Sequence, residues 1–359
     1  MTLRVAILGT GFWASYAHLP GLRALPEVEV VACVGRTQER ADAFAAQESI
    51  PGAYATLDSL LASPDRPDLL LVAGPDDIHP DASLAAIELG IPVFCEKPLA
   101  NTHATAAAMA ARAEALGVKT TVGYSFRYSP AVLALRDDLL SGALGEPWLI
   151  ELFEYNAQFH PARGKPMNWK GDPAHAAAGA LFEYGSHVAD IADWLVGPIE
   201  AVSTSLTRVL PGARLDDIAT LQLRARPPAI GILVAGWVLT GSIPGIRIRL
   251  HGSGGLAEAE LSQTLPGGEA YRRFSLDGAI REEVTLDPLG DPRSAYARRH
   301  LADFTAIVAG RPSPFPGVLP TFADGARIQR VLEATLRATE RWAEVDDPAT
   351  GEHQIARDR

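Results

Sequence analysis

The chain has 359 residues, 47% hydrophobic and 21% charged, with a net charge of −11 and a pI near 5.3. That length exceeds one ordinary core, so two domains of a globular protein are expected. The acidic balance, with no lysine/arginine block, excludes nucleic acid and anionic membrane surfaces as partners, and no apolar stretch is long enough to span a bilayer.

The first strand is expected by residue 3, which leaves no room for a signal peptide. Cys33 and Cys95 lie in apolar runs and suit free buried thiols, so a cytoplasmic protein is expected. Up to about residue 123, apolar runs at 3–8, 28–34, 68–73, 91–95 and 118–123 alternate with predicted helices at 13–25, 37–47, 77–89 and 101–116. Runs this apolar are strands buried on both faces, and the alternation predicts a Rossmann-type, doubly wound parallel sheet over residues 1–123.

Beyond Tyr124 the rhythm changes to an α+β domain over 124–359 with a large, mostly antiparallel open sheet. A helix at 129–141 leads through a glycine-rich turn into the strand Trp148–Tyr155. A loop rich in Pro, Gly, His and Ala follows at 157–178, then a helix near 179–195. Segments 200–209, 217–226, 229–239, 245–251 and 256–262 read as a meander with turn residues between them. Helices near 294–309 and 321–343 close the chain, the last able to pack back on the first domain, before a polar tail after Val345.

Gly9-x-Gly11-x-x-Ala14 follows a strand and opens a helix. Gly9 permits the tight turn, Gly11 lets backbone approach a pyrophosphate, and Ala14 lets helix and strand pack closely. The helix N-terminus adds amide donors for the anion. At the end of the second strand an NAD enzyme usually carries an acid for the ribose, but Val34-Gly35-Arg36-Thr37 has none. Arg36 could pair with a 2′-phosphate and Thr37 add a hydroxyl, which favours NADP(H) over NAD(H).

Four motifs in order make the chain similar to the Gfo/Idh/MocA oxidoreductases, the glucose-fructose oxidoreductase and inositol dehydrogenase family. The first is the glycine turn. The second, Ala73-Gly74-Pro75-Asp76-Asp77-Ile78-His79, resembles the family's Thr-Pro-Asn…His turn. The third is Glu96-Lys97-Pro98, followed by Gly123-Tyr124-Ser125-Phe126-Arg127-Tyr128. The fourth, Gly179-Ala180-Leu181-Phe182-Glu183-Tyr184-Gly185-Ser186-His187-Val188-Ala189-Asp190, resembles the family's Gly-Gly-x-Leu-x-Asp-x-Gly-x-His-x-x-Asp block. The resemblance implies cofactor contacts from Gly9, Gly11, Phe12, Trp13, Ala14, Arg36, Thr37, Pro75, His79, Glu96 and Lys97.

Oxidising an alcohol needs a base for the hydroxyl proton and charge stabilisation for the developing alkoxide. The resemblance assigns stabilisation to Lys97 and proton transfer to neutral His187. On a helix, Glu183 and Asp190 fall on nearly the same face as His187, so one carboxylate could orient the imidazole. Glu183 stands where the family commonly has aspartate, and Asp190 is the member best suited to a structural role. The same cluster could form a metal site, although the resemblance needs no ion. Secondary substrate candidates are Arg127, Tyr128, Tyr155, His160, Asn168, Trp169, Lys170 and Asp172, a polar and aromatic mixture that suits a polyol.

The resemblance therefore implies an NAD(P)-dependent dehydrogenase or reductase acting on a sugar, inositol or related cyclic polyol. Two alternatives stay open. One is a glycoside-cleaving enzyme that retains NAD and works by transient oxidation and elimination. The other is a non-catalytic dinucleotide-binding regulator, against which the presence of Lys97 and His187 weighs. The resemblance also implies a homodimer or homotetramer paired through the open sheet. Strand 229–239, apolar on both alternations, suggests burial on both sides.

Overall fold

A computed structural model describes residues 2–226, 229–240, 245–262, 265, 268–285 and 292–338. Its first sheet holds β1 (Leu3–Leu8), β2 (Val28–Val34), β3 (Gly52–Tyr54), β4 (Leu69–Val72), β5 (Val93–Cys95) and β6 (Thr120–Val122). They are parallel, in the order β3-β2-β1-β4-β5-β6. Val5, Ala6, Ile7 and all of β4 are fully buried, as strands covered on both faces must be. The covering helices include α1 (Leu19–Arg23), α2 (Gln38–Glu48), α3 (Leu57–Leu61), α4 (His79–Glu88) and α5 (His103–Ala115).

Then α6 (Pro130–Leu140) leads to a second sheet. It holds β7 (Pro147–Tyr155), β8 (Ile199–Thr207), β9 (Ile218–Ala225), β10 (Ile230–Gly236), β11 (Gly245–Gly252), β12 (Gly255–Ser262), β13 (Glu269–Phe274) and β14 (Ile280–Thr285). The order is β14-β13-β12-β11-β7-β10-β9-β8. The predicted single meander is instead two, β8–β10 and β11–β14, flanking β7, which pairs parallel with β10 and antiparallel with β11. The excursion from β7 to β10 includes α7 (Ser186–Val196), whose apolar face packs on both strands.

The two closing helices, α8 (Pro292–Val308) and α9 (Phe322–Arg337), return to the first sheet, α8 against α1 and α9 against α5 and β6. The predicted extension of the last helix to 343 and the polar tail lie outside the described residues. The predicted helix 13–25 is a π-helical turn, Ala14–His18, followed by α1, where Pro20 lacks the amide a continuous helix would use. Among the described residues, no helix is long and apolar enough to cross a membrane.

Candidate active site

The glycine turn closes β1 against the end of β4. Gly9 has φ +120°, and a Cβ there would stand 2.5 Å from the Ala73 carbonyl oxygen, so no other residue fits without strain. A Cβ on Gly11 would meet nothing within 4 Å. No protein group requires glycine there, so open space beside the turn suits a pyrophosphate brought close to backbone amides. Ala14 is fully buried, while Phe12 is exposed and stacks on Tyr16 at 4.8 Å. The residues present thus fit a dinucleotide.

Arg36 is exposed just past β2. Thr37 caps α2, its hydroxyl accepting from the Arg40 amide at 3.3 Å. Pro75 lies at the carboxyl edge of β4. His79, expected beside the cofactor, is fully buried with ring nitrogens 2.9 Å from the Pro98 carbonyl and 3.2 Å from the Gly74 carbonyl. It ties two loops together. Burial first, against those carbonyls, lowers its pKa and keeps it neutral.

Glu96 is likewise turned inward. Its carboxylate accepts from the Trp13 indole at 3.0 Å, meets His18 Nε2 at 2.8 Å and accepts from the Lys97 amide at 3.2 Å. Burial pushes this carboxyl up, but the His18 hydrogen bond and the His18 and Lys97 charges outweigh it and hold it at about 2. Gly123 makes room, since a Cβ there would stand 2.6 Å from Glu96 Oε2.

Lys97 follows β5 and projects at the carboxyl edge of the parallel sheet, where open α/β sheets bind ligands. Its ammonium donates to the Glu183 carbonyl at 3.0 Å and meets Glu183 Oε2 at 3.1 Å. The other Glu183 carboxylate oxygen takes the Lys170 ammonium. Burial lowers the Lys97 pKa, but Glu183, Glu96 and Asp76 more than offset this and raise it. Burial pushes Glu183 up, yet the two lysines hold it well below the usual carboxylate range. Glu183 sits in a π-helical turn, Leu181–Gly185, fixed by Asp216, whose carboxylate accepts from the Gly179 and Leu181 amides at 2.7 Å each.

His187, one turn on, packs edge-on against Phe126 at 4.5 Å and Tyr124 at 6.1 Å. Burial and then the Lys97 charge push its pKa down to about 3, so the ring is neutral. Its Nδ1 is buried without a partner. The expected carboxylate support is absent: Glu183 serves the two lysines, and Asp190 serves Arg127. The helical spacing put the groups on one face, but the stronger charge partners lie on other elements.

Several secondary candidates are committed elsewhere. Arg127 is 2% exposed and grips Asp190 in two bonds, at 2.8 and 2.5 Å. Tyr128 is buried and donates to Asp303 at 2.7 Å. Tyr155 alternates with buried Glu154, so it faces the open side of the sheet beside Phe153. His160 and Asn168 each accept a nearby backbone amide and cap short turns. Asp172 caps Ala174 and pairs with exposed Arg214 at 3.5 Å. Trp169 and Lys170 do reach the site, lining a cleft with Asp76, Phe182 and Glu183.

Two acids escaped the sequence analysis. Asp76, 6% exposed, stands where the turn it resembles has asparagine, and burial, opposed by Lys97, lifts its pKa to about 7. Glu154 is buried on the inner face of β7 with Oε2 unpartnered, and burial raises its pKa far above the usual range despite Lys97. The alternation of Ile150, Leu152 and Glu154 already marked an acid on a core-facing position. Among the described residues, no three His, Cys, Asp or Glu side chains are placed to hold a metal ion.

Comparison with known proteins agrees with the two-sheet fold. Residues 3–124 match the family model of the GFO_IDH_MocA oxidoreductase family, NAD-binding Rossmann fold, and residues 132–258 match that of the GFO/IDH/MocA C-terminal domain. The levoglucosan dehydrogenase of Pseudarthrobacter phenanthrenivorans is 29% identical, over 96% of this chain and 98% of that one. Inositol 2-dehydrogenase 1 of Saccharopolyspora erythraea is 28% identical over 95% of each. A solved levoglucosan dehydrogenase in complex with NADH and levoglucosan superposes with a TM-score of 0.83 at 22% identity, covering 94% of this chain and 97% of that one; this last likeness is one of fold.

Proposed function

Because this chain belongs to the Gfo/Idh/MocA family of oxidoreductases, we propose that it is an NADP(H)-dependent dehydrogenase or reductase of a sugar, inositol or related cyclic polyol. The observation that carries this reading is the Lys97 ammonium, held 3.1 Å from the Glu183 carboxylate one helical turn before neutral His187. The bound dinucleotide would supply the hydride acceptor or donor at the nicotinamide. Gly9, Gly11 and Ala14 would form its pyrophosphate turn, and Arg36, exposed with no acid beside it in Val34–Thr37, favours a 2′-phosphate.

The protein's own groups then divide the work. Lys97, kept charged by Glu183, donates a hydrogen bond to the reacting oxygen and stabilises negative charge on it. His187 starts neutral and takes the hydroxyl proton during oxidation, returning it during reduction. Trp169 offers a ring face to the C–H side of a polyol, and Lys170 holds Glu183 from the loop side. Residues 1–123 act as the cofactor unit and 124–359 as the substrate unit.

The open face of the second sheet exposes Trp148, Ile230, Ile232 and Ile280 by 41–55% each. An apolar face of this kind supports pairing with a second copy, as homodimer or homotetramer. Ile232→Lys is expected to lower the mass measured by light scattering, and an unchanged monomer would remove the proposal.

The test of function is a nicotinamide-fluorescence titration with NADPH and NADH, with Arg36→Ala alongside. NADPH should bind more tightly, and Arg36→Ala should weaken NADPH selectively. Preference for NADH would overturn the NADP(H) assignment. Cofactor retained through gel filtration, with product formed without added nicotinamide, would move the reading to glycoside cleavage. Failure to bind either, with none retained, would sink the oxidoreductase chemistry.

A further inference from the structure

The cleft beside Lys97 has an unequal balance of charge. Its cations are Lys97 and Lys170, and both ammoniums are already held by one acid, Glu183. Arg127, on the segment after β6, is consumed by Asp190. One further carboxyl lines the cleft without a cation of its own. Asp76 lines the cleft at 6% exposure, and among the described residues no side-chain hydrogen bond reaches its carboxyl.

A ligand carboxylate entering here would share the lysines with Glu183 and bring a second negative charge beside Asp76. Hydroxyl groups face no such conflict, because each can donate to Asp76 and accept from a lysine. We propose that Asp76 is a specificity-determining residue that selects uncharged polyhydroxyl substrates and excludes sugar acids. This rests on the sugar or polyol dehydrogenase reading above and adds the charge class of the substrate to it.

The test compares matched pairs, D-glucose with D-glucuronate and D-galactose with D-galacturonate. The protein is saturated with whichever nicotinamide dinucleotide it binds, at about pH 9 so that Asp76 is ionised. Wild type should favour the neutral member by about 100-fold in kcat/KM, since an unanswered like charge costs a few kcal/mol. Asp76→Asn should cut that ratio about tenfold or more by raising kcat/KM for the acid. Asp76→Ser, in a chain that melts cooperatively, should move it in the same direction and serves if Asp76→Asn fails to fold. A wild-type enzyme that turns over the acid within tenfold of the neutral sugar overturns the inference alone, as does a ratio unmoved in both variants. Turnover of neither pair by a protein that binds nicotinamide overturns the substrate reading beneath it, and the inference with it.

Discussion

Replacing Arg127 by Met separates a structural role for this residue from a substrate-binding one. The guanidinium and the Asp190 carboxylate are 2% and 1% exposed, bonded at 2.8 and 2.5 Å, and join the segment after β6 to α7. Removing one partner of a buried pair leaves the other charge uncompensated, which costs about 3–5 kcal/mol. Burial already lifts Asp190 to about 6 with Arg127 in place, and without it the carboxyl would rise further. A raised acid pKa penalises the folded state only where the unfolded chain is ionised. The penalty is therefore absent below the ordinary value of 3.8 and grows as pH rises toward the folded pKa. Urea unfolding followed by tryptophan fluorescence should show the full deficit near neutral pH and a much smaller one near pH 4. The double variant Arg127→Met/Asp190→Leu should recover about half or more of the loss. A single-variant loss under about 1 kcal/mol, or a deficit that widens on acidification, would refute the reasoning. A higher KM without loss of stability would return Arg127 to the substrate pocket.

Gly9→Ala should destabilise the fold by about 2 kcal/mol or more, because its φ is +120° and the Ala73 carbonyl blocks the new Cβ. Gly11→Val should leave the urea midpoint almost unchanged yet weaken nicotinamide binding by about tenfold or more, and equal stability losses at the two glycines would contradict this. Glu183→Gln removes the charge that raises the Lys97 pKa, so kcat should fall by about 100-fold and its alkaline limb should move to lower pH. An alkaline limb left in place would show that Lys97 does not set it. Asp76→Asn should stabilise the fold by up to about 4 kcal/mol above pH 7 and by almost nothing near pH 4, because the penalty on an acid raised to about 7 appears only as pH climbs past 3.8. Thermal melts that shift equally at both pH values would count against it.

What could be foreseen followed from how local the signal was. The buried runs of β1, β2 and β4 announce a parallel sheet because both faces must be apolar. The three-residue β3 is too short for any period to register. The hairpin β13–β14 was missed for a different reason. It is held by cross-strand pairs, Arg272 with Glu283 at 2.8 Å and Arg273 with Glu282 at 3.2 Å, rather than by apolar alternation. At the site, Lys97, Glu183 and His187 come from motifs; Lys97 and Glu183 meet directly, and His187 follows one helical turn on. Their partners do not follow from spacing: Lys170 comes from an irregular loop, and Arg127 finds Asp190 across 63 residues. Strand parity did hold the answer for Tyr155 and Glu154, one facing out and the other in.

The inward-turned Glu96 has a mechanical consequence. Its carboxylate joins the Trp13 indole, on the helix that the glycine turn opens, to the amide of Lys97 itself. Any displacement of that turn would be passed to the lysine through two hydrogen bonds to one carboxylate. Turn and lysine are thus joined through a single carboxylate, and Trp13→Phe would cut that link while leaving both motifs in place.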